Sequence, residues 1–273
     1  AMTYAGARGM TEKEMAETLH YLPSQDCLHP TFNALDQELA KRGQGAAGKD
    51  GEAFRLNIVN ALWGQKDYAF LVQYLDTLAE NYGAGMNLVD FVNATEASRV
   101  AINKWVEDQT EGRITDLIPQ DAIGKYMRLV LTNAIYFNAA WLHAFQEELT
   151  HDGTFTLLNG RKVTVSMMHQ TESFGFLQGQ GFQAVELPYD GEELSMVILL
   201  PDSGEYEAFE SSLSVDQLNS ILGGLADQEL DLTMPKFEFD AAFGLRETLT
   251  AMGMPLAFSD EADFSGMTGN RDL

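Results

Sequence analysis

Apolar residues recur at helical spacing in several stretches of the chain. Thr11 and Glu14 form a capping-box pattern ahead of one such stretch, which predicts that a helix begins near Thr11. The clearest helix is predicted over residues 93–109, where Asn93 is placed to cap the N-terminus and Gly112 to end the helix. Further helices are predicted over residues 32–39, 71–78, 206–225 and 243–252.

Alternating and continuous apolar runs predict the strands. The run over 129–137 is apolar on both alternating faces, which is typical of a strand covered on both sides, so we expect it in the middle of a sheet. Helices dominate the first part of the chain and strands the later part, which favours an α+β fold over repeating βαβ units. We expect residues 1–273 to form a single large domain. The other predicted strands are 54–63, 86–90, 154–158, 161–168, 173–177, 182–188, 194–200 and 230–239.

The charge balance limits the classes of partner. The chain has 17 basic and 41 acidic residues, for a net charge of -24. Binding nucleic acid or an anionic membrane requires clustered Lys and Arg, so we expect neither partner. The apolar runs are too short for a transmembrane helix, and the first ten residues do not resemble a signal peptide. Cys27 is the single cysteine, so an internal disulfide is excluded.

No motif for catalysis or for metal binding is complete. Gly43-Gln44-Gly45-Ala46-Ala47-Gly48 spells the dinucleotide-binding pattern, but a predicted helix precedes it and a predicted strand comes after it, the reverse of what that motif requires. We therefore interpret it as a surface loop. His143 and Glu147 lie four residues apart without completing a set of metal ligands. We expect neither an enzyme, nor a cofactor, nor a metal site.

Several stretches together resemble the serpin family of protease inhibitors. Each motif is short, and their order across nearly the whole chain makes the resemblance specific. The stretches that carry it are Asn60-Ala61-Leu62-Trp63, Ile102-Asn103-Lys104-Trp105-Val106-Glu107, Thr132-Asn133-Ala134-Ile135-Tyr136-Phe137 with Trp141 downstream, Glu186-Leu187-Pro188-Tyr189, Met234-Pro235-Lys236-Phe237 and Ala262-Asp263-Phe264-Ser265-Gly266-Met267.

The resemblance implies a fold and a mechanism. The fold is a large, mostly antiparallel central sheet with packed helices, plus a second, barrel-like sheet. The activity is suicide inhibition of serine, or alternatively cysteine, endopeptidases: the protease cuts an exposed loop, which then enters the central sheet as a new strand. Asn133 corresponds to the position where the family opens the sheet, called the shutter, and Trp141 to the breach, where insertion begins. Asn103 and Trp105 lie on the helix that crosses the sheet and must move.

The resemblance also implies what this stretch of sequence contains. It resembles a serpin without its first helix and a strand before it, and without the segment after residue 273, where the family has another strand of the large sheet, the reactive loop and the last barrel strands. We therefore expect residues 1–273 alone not to inhibit a protease. A non-inhibitory serpin, acting as a carrier, chaperone or storage protein, is the alternative.

Partners and compartment are implied by the same resemblance. A target serine protease is the implied partner, and its identity cannot be read without the loop. Some serpins bind sulphated polysaccharides through the helix that corresponds to residues 32–39. Here that helix offers only two basic residues at its end, Lys41 and Arg42, and it also carries the acidic Asp36 and Glu38. Polyanion binding is therefore not expected. The family resemblance implies an extracellular protein, with a cytoplasmic one as the alternative.

Overall fold

The computed structural model describes residues 1–239, 241 and 243–273. Within them, α-helices and β-strands are joined by turns and one-turn 3-10 helices. The helices are α1 (Gly9–Thr18), α2 (Gln25–Leu39), α3 (Val72–Tyr82), α4 (Thr95–Gln109), α5 (Tyr206–Ser212), α6 (Val215–Gly224), α7 (Arg246–Met252) and α8 (Ser265–Thr268). The strands are β1 (Arg55–Gln65), β2 (Met86–Val89), β3 (Leu129–Asn138), β4 (His151–Thr156), β5 (Lys162–Gln178), β6 (Phe182–Pro188), β7 (Ser195–Pro201) and β8 (Ala226–Pro235).

The chain divides into two compact units. The first contains Ala1–Lys41, Leu56–Phe137 and Ala242–Leu273, and the second contains Arg42–Arg55 and Asn138–Ala241. The expectation of a single domain stays a prediction.

The sheet of the first unit has the strand order β2-β1-β3. β1 and β2 are parallel, with Leu62 opposite Met86. Two hydrogen bonds show that β3 runs antiparallel to β1. The Gln65 N–H donates to the Arg128 carbonyl near one end of the pair, and the Asn133 side chain donates to Asn60, five residues earlier in β1 and five residues later in β3. β1 is therefore the central strand, in agreement with the burial of its C-terminal half.

β3 lies at the edge of this sheet, so the prediction that 129–137 forms an inner strand is wrong for the described residues, where it pairs with β1 alone. Thr132 and Tyr136 are buried on one face of β3, whereas Ile135 is 56% exposed and Phe137 42% exposed on the other. Apolar residues on both faces indicate side chains that favour burial. They carry no information on whether both backbone edges are paired, which depends on neighbours elsewhere in the sequence.

Two predicted helix caps are also wrong. α1 begins at Gly9, and Thr11 accepts a hydrogen bond from the Asp263 N–H at 2.9 Å instead of capping the helix. Asn93 precedes α4 without capping it, because its side-chain amide donates to Asp90 at 3.2 Å. In both cases a short polar side chain bonds to a different partner from the nearest helix amides, which local sequence cannot reveal.

The second unit contains a five-stranded antiparallel sheet in the order β4-β5-β6-β7, with β8 also paired to β5. The runs predicted at 161–168 and 173–177 are one continuous strand, β5. Its middle is polar in sequence, yet Gln170 is 7% exposed and pairs with Leu232 of β8. Because β8 forms backbone pairs with this middle part of β5, the polar residues do not interrupt the strand.

Candidate functional site

Helix α4 packs on the sheet of the first unit through aromatic side chains. Trp105 meets Trp63 of β1 edge to face, with ring centroids 5.9 Å apart and an interplanar angle of 78°. Ile102 is fully buried in the same cluster. Trp63 in turn donates from Nε1 to the Thr132 hydroxyl of β3 at 3.1 Å. This contact connects β1 and β3 directly beneath the helix, in a cluster that α4 would have to leave in order to move.

Asn103 fastens α4 to the segment that comes after it. The side-chain amide donates to Asp116 Oδ1 at 2.8 Å and to the Ile118 carbonyl at 2.9 Å, and Asn103 Oδ1 accepts from the Ile118 N–H at 2.8 Å. Arg99, one turn earlier, donates to the same two acceptors at 2.8 and 2.7 Å. Asn103 is buried, so its role in the structure is to hold residues 114–118 against the helix. Neither Arg99 nor Asp116 was identified from the sequence motifs.

The start of α4 is held by a second polar group. Asp90 accepts from Lys66 Nζ at 2.8 Å and from the Asn93 N–H at 3.0 Å. These bonds hold the pKa of the Asp90 carboxyl well below its usual range, with the Lys66 bond as the largest cause. An Asp three residues before an Asn is typical of a turn in which the Asp side chain accepts from the backbone. The spacing of Asp90 and Asn93 could therefore have predicted this turn before α4.

Asn133 forms a hydrogen bond across the sheet. Its side-chain amide donates to Asn60 Oδ1 at 3.0 Å, and the Asn60 amide donates to the Tyr82 carbonyl at the end of α3 at 3.1 Å. Asn133 is exposed on β3 and lines a cleft of about 370 Å³ together with Asn60, Tyr82 and Leu35. The asparagine pair therefore connects β3, β1 and α3 at the wall of an open cleft.

Trp141 belongs to the second unit. Its ring stacks on Tyr189 with centroids 4.7 Å apart and an interplanar angle of 12°, and Phe145 meets it edge to face. Trp141 packs against the core that contains Phe174 and Leu187. These contacts are those of a core aromatic residue. The assigned roles of Asn133 and Trp141 in opening a sheet stay predictions, as do those of Asn103 and Trp105.

The candidate site of the first unit is thus the edge of a strand. Among the described residues, β3 pairs only with β1, and the exposed side chains of Ile135 and Phe137 lie on this strand. Among residues 1–239, 241 and 243–273, no three His, Cys, Asp or Glu side chains are arranged to hold a metal ion. Across that same part of the chain, every helix is too short or too polar to span a bilayer.

Comparisons with known proteins agree with this architecture. The model of the serpin (serine protease inhibitor) family matches residues 1–273. An uncharacterized serpin-like protein from Thermococcus kodakarensis is 40% identical over all of this chain, which spans 62% of that relative. The leukocyte elastase inhibitor from Homo sapiens is 36% identical, and the chain spans 72% of it.

Solved structures show the same fold. Ovalbumin from emu superimposes with a TM-score of 0.90 at 28% identity, over 98% of this chain and 72% of ovalbumin. Lamprey angiotensinogen with a cleaved reaction loop gives a TM-score of 0.86 at 28% identity, over 98% of this chain and 77% of angiotensinogen. The chain belongs to the serpin family. The α+β, serpin-like fold expected from the sequence is confirmed.

Proposed function

We propose that the protein inhibits serine endopeptidases by accepting its own cleaved loop as a strand beside β3. The observations that carry the proposal are the serpin-family match over residues 1–273 and the position of β3 at an edge of the sheet that the described residues form. The inhibitor names of relatives such as the human leukocyte elastase inhibitor support the same activity. The loop itself is assigned, by the family resemblance, to the segment after residue 273.

Insertion of a strand beside β3 would have a driving force. A strand laid along β3 would form ladder bonds worth about 0.5–1.5 kcal/mol each. It would also cover apolar surface on Ile135 and Phe137, and full burial of such a side chain contributes roughly 1.5–3 kcal/mol. In this proposal the inserted strand gains both contributions only after the loop is cut, which is what a trap driven by cleavage requires.

Helix α4 is the element that would resist insertion. Trp105 and Ile102 pack on β1, and Trp63 connects β1 to Thr132 of β3 underneath. Strand entry beside β3 would therefore require α4 to loosen its contacts and then to restore them. In this proposal Asn103 and Arg99 keep residues 114–118 attached to the helix while it moves.

The proposed activity is tested by complex formation with a protease. The whole gene product is incubated with leukocyte elastase and analysed by denaturing gel electrophoresis. We expect a covalent complex that survives denaturation, absent when the protease serine is replaced by alanine. Residues 1–273 alone are predicted to give no complex. Cleavage of the protein by elastase, trypsin and chymotrypsin without any stable complex would refute inhibition of serine proteases.

A non-inhibitory serpin is the second candidate, because the fold shared with ovalbumin does not by itself show that a cleaved loop enters the sheet. The two candidates differ in their thermal stability after cleavage. An inhibitor gains thermal stability when its cut loop enters the sheet, whereas a protein that cannot insert its loop keeps the same unfolding temperature.

Secretion of the native protein into the medium would support the proposed extracellular location.

A further inference from the structure

A closed ring of three hydrogen bonds lies just after the end of β3, within the second unit. The Ala140 N–H donates to the Ala47 carbonyl at 3.1 Å, and the Ala47 N–H donates to Asp190 Oδ2 at 2.6 Å. The Asp190 N–H donates to the Ala140 carbonyl at 2.9 Å, which closes the ring. The ring therefore joins three separate segments: the loop between α2 and β1, the residues after β3, and the turn between β6 and β7.

Two more hydrogen bonds attach the same loop on either side of the ring. The Lys49 N–H donates at 2.7 Å to Oδ1 of Asn138, the last residue of β3. The Gly43 N–H donates to Glu193 Oε2 at 2.6 Å. Hydrogen bonds from backbone N–H groups to carboxylates are short and roughly twice as strong as those between neutral groups. Residues 42–55, which we call the strap, are thus attached at three points along their length.

The glycine-rich sequence of the strap allows it to turn tightly where it is attached. The Gly48 N–H donates to the Glu52 carbonyl at 2.6 Å, and Ala47 is bridged to Ala53. A Cβ at Gly48 would lie 2.4 Å from the Ala53 carbonyl oxygen, which is too close for any side chain. The glycine spacing that spells a dinucleotide-binding pattern therefore fits a tight turn of the strap.

We propose that Asp190 is a positioning residue for strand insertion, because it closes the ring that holds residues 138–140 in place at the end of β3. This role rests on the proposed function, in which the cleaved loop enters beside β3. The ring and the Asn138 bond use none of the backbone groups of residues 129–137, so they fix the end of β3 without occupying its edge. If residues 138–140 were free, ordering them during strand entry would cost conformational entropy and would slow insertion.

Slower insertion has a measurable consequence for inhibition. In the proposed mechanism the protease serine is joined to the cut loop by an ester. Water either hydrolyses this ester, which frees the protease and leaves a spent inhibitor, or insertion comes first and the ester is retained. The number of inhibitor molecules consumed for each protease molecule trapped therefore rises when insertion slows.

Substitutions of Asp190 in the whole gene product test this role. Asp190→Ala removes the acceptor of the Ala47 N–H, whereas Asp190→Asn keeps an oxygen at the same place. We expect Asp190→Ala to raise the number of inhibitor molecules consumed per leukocyte elastase trapped at least about threefold, and Asp190→Asn to raise it less. Asp202→Ala is the matched control, because Asp202 is exposed in the loop after β7, and it should leave that number unchanged.

Hydrogen exchange of the uncleaved protein tests the ring separately from inhibition. The Ala47 and Ala140 amides should exchange at least about tenfold faster in Asp190→Ala than in the wild type. Unchanged exchange of the Ala47 amide would overturn the proposal, as would unchanged or lower inhibitor consumption in a variant whose wild type traps elastase. A wild type that traps no protease would overturn the proposed function, and the role of Asp190 with it, even where exchange shows that the ring exists.

Asp190→Asn decides the question if Asp190→Ala does not fold. A neutral amide oxygen accepts a weaker hydrogen bond than a carboxylate, so the Ala47 amide should still exchange faster than in the wild type. Exchange and inhibitor consumption both equal to the wild type would overturn the proposal.

Discussion

The attachment of residues 114–118 to α4 makes Asn103 the most informative single substitution. Asn103→Ala removes two donated hydrogen bonds and the acceptor of the Ile118 N–H. Arg99 still donates to Asp116 and to the Ile118 carbonyl, so neither acceptor is left without a partner. The Ile118 N–H is the group that loses its acceptor, and this loss dominates the expected effect.

The expected destabilisation is about 1.5–3.5 kcal/mol. Leaving the partly buried Ile118 N–H unsatisfied costs about 1–3 kcal/mol, and the lost net contribution of the other bonds adds roughly 1 kcal/mol. The higher helix propensity of alanine returns about 0.5–0.7 kcal/mol. The Ile118 amide should also exchange with solvent much faster in the variant.

Urea unfolding measures the stability, and hydrogen exchange measures the Ile118 amide. Asn33→Ala is the matched control: Asn33 lies on α2, is partly buried, and accepts one solvent-exposed hydrogen bond from Gln37 at 2.9 Å. Its free energy of unfolding should change by less than about 0.5 kcal/mol. A destabilisation below about 0.5 kcal/mol in Asn103→Ala, with Ile118 exchange unchanged, would refute the assignment of Asn103 as the attachment point.

Three further predictions concern the first unit. Thr11→Val should lower the free energy of unfolding by about 1–2 kcal/mol, because the buried Asp263 N–H loses its acceptor. Thr11→Ser keeps the hydroxyl and should retain most of the stability. Equal stability of the two variants would contradict this prediction. The depressed pKa of His29 means that the unfolded chain binds a proton more readily, so stability should fall as the pH drops below about 6.5. His29→Gln should lose less stability than the wild type between about pH 7.5 and pH 5.5 in urea titrations, and an equal loss would contradict the assignment. Trp63→Phe should cost about 1–2 kcal/mol in thermal or urea unfolding, since Thr132 loses its donor and the packing with Trp105 is reduced; an unchanged midpoint would contradict this.

The elements with strong local patterns could be predicted from the sequence. The helical spacing of Ile102, Trp105 and Val106 identified α4, and Ile102 and Val106 are fully buried. The alternation that begins at Phe54 identified β1, which spans Arg55–Gln65. These patterns arise because a helix or strand buries one face wherever it packs.

Features that depend on distant partners could not be predicted. The edge position of β3 depends on which strands pair with it, and the side chain of Thr11 bonds to Asp263, which lies 252 positions later. The burial of His29 beside Tyr82 could not be predicted either, because no local pattern distinguishes this histidine from an exposed one.

The central claim is that a new strand enters beside β3. Hydrogen exchange of the Leu129–Asn138 amides, measured on the whole gene product before and after cleavage of its reactive loop, tests it most directly. If the loop enters there, those β3 amides that exchange rapidly in the uncleaved protein should exchange at least about tenfold more slowly after cleavage, because they gain backbone partners. Unchanged exchange along β3 in a cleaved protein that still traps its protease would contradict the account.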